Sequence, residues 1–193
     1  MKQYPTVRKF FLCAFVLLSA IQVNSQTFFG ISSTPANGGS QAGPTVTITP
    51  PLLMQNGDLA VVYIQYRGTG VTITNGNAGG QTWIAGNLAT VNSGSNHSLA
   101  IFWCRFNGTW SANPTFTIGT GNNAMSAVMY VYRPSNSSNQ WGVHVLQNNV
   151  AQTNASQTVA SFSTTVPRTV SMAFVGNSST NTWALTPSTG WSM

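Results

Sequence analysis

Three apolar runs constrain what this chain can fold into more than any other feature. Gly57–Arg67 reads GDLAVVYIQYR, His97–Phe106 reads HSLAIFWCRF and Ala124–Arg133 reads AMSAVMYVYR. All three are rich in Val, Ile and aromatic residues, which fit a pleated surface. They are bounded by Gly, Asn or Pro, and none carries a helical period. They predict three core strands of one sheet, with Gly57–Arg67 at its centre.

Shorter strand signals surround them. Gln26–Thr34, Thr45–Thr49, Val71–Thr74, Leu88–Val91 and Pro114–Ile118 precede the third core strand or lie between the others. Gly142–Leu146, Thr158–Val166 and Thr169–Val175 follow it. Loops rich in Gly, Asn and Ser separate them, as in Ala36–Gly43 and Asn75–Gly80. Many short strands with such turns predict an all-β fold, an antiparallel β-sandwich or jelly roll. Residues 26–193 form one expected domain, large enough for a core without disulfides or metal. Leu59, Val61, Leu99, Ile101, Cys104, Val128, Met172 and Phe174 are its expected buried residues.

Met1–Ser25 reads as a secretory signal peptide. Lys2, Arg8 and Lys9 are its basic head, Phe10–Ile21 its apolar stretch, and Val23 and Ser25 its small residues before cleavage. The apolar stretch is too short for a span of about 20 residues, so no transmembrane segment is expected. The location implied is secreted, extracellular or at the cell surface. Cys13 leaves with the leader and Cys104 stays alone, mid-strand between aromatics.

Charge narrows the chemistry. Only 4% of residues are charged, against about 25% in ordinary soluble chains. Beyond the leader Arg67, Arg105, Arg133 and Arg168 stand against Asp58 and no lysine is left, which makes no basic stripe for nucleic acid. Asp58 is the only carboxylate side chain, so paired-carboxylate glycoside hydrolysis and multi-acid calcium sites are excluded. Its place at a strand entrance suits a turn or strand-end bond, with an arginine as one partner. His97 and His144 are the only histidines, and no nucleophile elbow accompanies them. No catalytic residue, metal or cofactor is expected.

The tryptophans carry what signal remains. Trp83 and Trp191 follow Gly-containing turns and read as plugs at the end of the core. Trp110 and Trp141 adjoin polar loops. There they can stack on sugar rings, while Asn and Gln supply hydrogen bonds, and they are the candidate ligand-binding residues. The alternative is that they fold back over the sheet edge. Asn96, Asn107, Asn136, Asn154 and Asn177 stand in Asn-x-Ser/Thr triplets and mark surface loops.

Gly57-Asp58-Leu59, Arg67-Gly68, Trp83, Leu99–Arg105, Pro114–Ile118 and Ala127–Arg133, in this order, resemble a recurrent β-sandwich module. Such modules occur in bacterial secreted, adhesin-like and phage-tail-associated proteins. The resemblance spans most of Thr45–Met193 and implies an architecture, with no catalytic residue. It departs at Asn77–Gln81, where a proline-containing turn is expected.

The function expected is a secreted, non-catalytic binding or adhesion module with carbohydrate at a cell surface as candidate ligand. The alternative is a structural module of a larger surface, matrix or tail-fibre assembly. An internal echo between Asp58–Trp83 and Arg168–Trp191 adds one more expectation. The first copy runs on into further strands, so the domain is expected to continue past Met193.

Overall fold

The computed structural model describes residues 26–34, 41–42, 45–67, 73–74, 77–91, 97–118, 124–136, 140–143, 163, 165 and 169–172. These form an all-β structure of two antiparallel sheets with one short 3-10 turn, Ala78–Gly80. The strands are β1 (Thr27–Thr34), β2 (Gln41–Ala42), β3 (Thr45–Thr47), β4 (Leu59–Arg67), β5 (Ile73–Thr74), β6 (Ile84–Val91), β7 (His97–Arg105), β8 (Thr115–Ile118) and β9 (Ala124–Arg133).

The larger sheet has the order β1-β9-β4-β7-β6, with β2 pairing the start of β9. As its apolar run predicts, β4 lies at the centre. It pairs β7 from Leu59↔Arg105 to Arg67↔His97 and β9 from Leu59↔Tyr132 to Tyr66↔Met125. The smaller sheet has the order β3-β8-β5. An Ile48 N–H to Pro114 carbonyl bond of 2.9 Å carries the β3–β8 pairing one step further.

Side chains of both sheets meet in one cluster. Val46, Ile48 and Phe116 come from the β3–β8 side, and Val62, Ile64, Phe102, Met125 and Met129 from the larger sheet. The Phe116 ring stacks on Phe102 at 5.4 Å and meets Trp83 edge-on at 5.3 Å. Trp83 is buried, as expected.

The expected core needs a correction of face. Leu59, Val61 and Cys104 are buried, but Leu99, Ile101, Val128 and Met172 are only half-buried. The residues facing the cluster are their neighbours Ala60, Val62, Ala100, Phe102, Ala127 and Met129. The reason lies in the period of two. β4, β7 and β9 are apolar on both faces, so hydrophobicity does not choose between them. Bulk then misleads, because the inner face carries the small side chains Ala60, Ala100, Cys104 and Ala127. The outer face sets Val61 between Tyr130 and Trp103 in register.

Other boundaries shift for local reasons. β6 begins four residues earlier than its sequence signal, at Ile84. Its Gly86 and Asn87 look like a turn but mark a register break between Ala85 and Asn87. β2 forms inside the stretch expected to be loop. Residues 142–143, 163, 165 and 169–172 carry no strand, although one was expected through each. From Thr169 to Met172 burial still alternates exposed and half-buried. Residues 1–25, His144, Phe174, Trp191 and the rest of the C-terminal echo lie outside the described residues.

Cys104 is fully buried, and burial pushes its thiol from the usual 9.0 up to about 12. The folded state therefore holds this proton more tightly than the unfolded chain. Its contribution to stability is complete below about pH 9 and is lost as pH rises through about 12. Chemical denaturation across that window should show falling stability, less steep in Cys104→Ala. A thiol reagent at neutral pH should label the native protein far more slowly than the unfolded one.

Candidate functional site

The described loops 50–57, 77–83 and 106–111 lie at one end of the sheets, and two polar devices fix them. The first is Asp58. Its carboxylate is almost fully buried and accepts two bonds from Arg133, Nε to Oδ1 and Nη2 to Oδ2, each 3.0 Å. Oδ2 also accepts the Gln55 N–H at 2.8 Å. Arg133 Nη2 donates to the Leu53 carbonyl at 2.9 Å, and its guanidinium sits 4.0 Å over the Phe29 ring. The hydrogen bond to Asp58 raises the pKa of Arg133. This is the strand-end bond expected from the sequence. The only carboxylate side chain of the sequence is thereby taken up in a strut that holds the 50–57 loop.

That loop carries Leu52 and Leu53, which are 85% and 84% exposed. Leu53 has a φ of 65°, a left-handed conformation that costs a non-glycine residue energy and persists only where its surroundings impose it. Here the Arg133 bond to its carbonyl and the Gln55–Asp58 bonds impose it. At the end of the loop Gly57 donates to the Phe106 carbonyl at 2.8 Å and accepts the Trp141 indole N–H at 2.9 Å.

The second device is Gln81. Its buried amide donates to Asn107 Oδ1 at 2.9 Å and to the Thr109 carbonyl at 2.7 Å, and accepts the Asn107 N–H at 2.9 Å. Asn107 in turn donates to the Gly80 carbonyl at 3.2 Å. Loops 77–83 and 106–111 are thus tied together by side chains. Asn77–Gln81 replaces the expected proline turn with a 3-10 turn in which Gly79 has a φ of 67°. Glycine is required there twice over. A Cβ would stand 2.6 Å from Trp110 Cε3, and the backbone is left-handed.

Trp110 therefore rests on bare backbone. Its ring stacks on Phe106 at 4.8 Å and lies near-parallel to Trp83 at 6.4 Å. Beside it runs an open groove of about 420 Å³. The apolar 50–54 loop, Phe106 and Trp110 line it, together with the polar Thr49, Thr109 and Asn113.

Both sequence candidates lie among these loops, in different roles. Trp110 lines the groove. Trp141 is outside its lining and braces Gly57. Two features were missed. The groove's Pro50–Met54 side read only as the stop of a strand, although Pro-Pro-Leu-Leu-Met is an unusually apolar loop. The Gln81 hub had a signal in the Gly-Gly-Gln departure ahead of Trp83. Asn107, expected only as a surface marker, is exposed and also serves the hub.

Among the described residues no group of three or more His, Cys, Asp or Glu side chains could hold a metal ion. Nor is any described helix long and apolar enough to cross a membrane. What the groove offers a ligand is aromatic and apolar contact and neutral hydrogen-bonding groups. Comparisons with protein-family models, curated proteins and solved structures return no match for this chain.

Proposed function

We propose that this chain is a secreted, non-catalytic binding module, its two sheets the layers of a β-sandwich, and that the groove beside Trp110 holds an uncharged glycan at a cell surface. The groove lining carries this reading. An aromatic ring bordered by Thr49, Thr109 and Asn113, with no charged side chain among the described lining residues, matches a sugar's apolar faces and its hydroxyl rim. The leader at Met1–Ser25, the low charge and the resemblance to bacterial adhesin-like modules point the same way. Trp141 has a supporting part, holding the loop that forms one side.

A second reading, a structural unit of a larger assembly, draws on a different surface. Phe28 and Ile31 are 53% and 55% exposed on β1, the outermost strand of its side among the described residues. An outer strand with apolar side chains suits pairing with another module.

A glycan array with the mature chain separates the two. The expected result is binding to uncharged glycans, weakened about fivefold by Asn113→Ala, the worth of one ordinary hydrogen bond. Trp110→Phe keeps a ring against Gly79 and should weaken binding further without unfolding the protein. An array without hits, beside self-association that Phe28→Ser abolishes, would replace the first reading with the second.

A further inference from the structure

The groove opens onto a second feature, the outer face of the smaller sheet. Thr45 pairs Thr117 and Thr47 pairs Thr115 in register. Beyond them Asn113 Nδ2 donates to Thr49 Oγ1 at 3.3 Å, and both residues line the groove. Thr45, Thr47, Thr49, Thr115 and Asn113 are exposed. Their alternating neighbours Val46, Ile48 and Phe116 are fully buried. Rows two residues apart stand about 6.8 Å from each other along a strand. The three rows thus extend the groove by about 14 Å, longer than one hexose ring.

The hydroxyls are held in place. Thr47 Oγ1 and Thr115 Oγ1 lie 2.8 Å apart, and Thr115 Oγ1 reaches the Asn113 carbonyl at 3.5 Å. When Thr47 donates to Thr115 and Thr115 to the Asn113 carbonyl, both protons are used within the sheet and the remaining lone pairs of Thr47 and Thr115 suit the hydroxyl donors of a sugar. No residue of 45–50 or 113–118 is charged, so an acidic or basic partner finds no complement here.

We infer that the ligand of this module is an extended, uncharged polysaccharide, one end seated in the groove and the chain continuing along the threonine rows. This rests on the groove being a glycan site.

The test is calorimetric titration with linear β-1,4-linked oligomers of glucose, N-acetylglucosamine and mannose, from dimer to octamer. One series should gain about tenfold in affinity from dimer to octamer, equivalent to about 1.4 kcal/mol. Thr47→Val with Thr115→Val keeps the shape and strand preference of both sites. That double variant should flatten the gain while leaving dimer affinity and the unfolding midpoint unchanged. Asn113→Ala should weaken every length alike. Equal affinity for all lengths in the wild type, or a gain that survives the double variant, overturns the extended site and leaves the groove standing. Failure to bind any oligomer overturns both.

Discussion

Replacing Phe116 by alanine is expected to cost about 3–5 kcal/mol of stability. The side chain has no exposure and joins the two sheets through Phe102 and Trp83. Collapse around the deletion is restricted on one side. Trp83 is held by its indole N–H to the Ala78 carbonyl at 2.8 Å, so its ring does not swing freely into the space. The cavity term therefore adds to the lost transfer energy. Ile101→Ala is the informative control. It removes a similar class of side chain from the other face of β7, where burial is partial, and should cost clearly less. Urea denaturation of the two variants decides this. Equal losses would mean that the cluster shared by the sheets is not the principal core.

Arg133→Met should have an effect of similar size for a different reason. It keeps an apolar chain over Phe29 and strips the partner from a carboxylate that is only 1% exposed. A buried charge left without its partner costs about 3–5 kcal/mol. The lower part of that range is expected, because Arg133 is 29% exposed and water can enter where it stood. The Gln55 N–H also remains bonded to Asp58. Asp58→Asn combined with Arg133→Met should recover much of the loss, since removing both charges removes the unpaired one. A double-mutant cycle by denaturant titration measures this. Additive losses would show that the two residues stabilise the protein separately.

These two predictions also mark how far the sequence could be read. β4, β7 and β9 were legible because long β-branched and aromatic runs between Gly, Asn and Pro have few other uses. Their inner face was not, because both faces are apolar and the inner one is marked by alanines. The Asp58 strut was legible in outline, since a lone carboxylate at a strand entrance suits a turn or strand-end hydrogen bond, with an arginine as one partner. That Arg133 would supply it depends on β9 pairing β4, which periodicity does not specify. Trp110 was legible as a loop aromatic. Its seat on Gly79 and the Gln81 hub depend on loops brought together from distant parts of the chain.

The claim that the groove holds a glycan is tested most directly by amide and indole shift mapping. The isotope-labelled protein is titrated with the best glycan from the array. Shifts are expected to concentrate at Thr49, Leu53, Thr109, Trp110 and Asn113, with the Trp110 indole N–H among the largest. Shifts centred on Phe28 and Ile31, or on Trp141 with Trp110 unmoved, would contradict it.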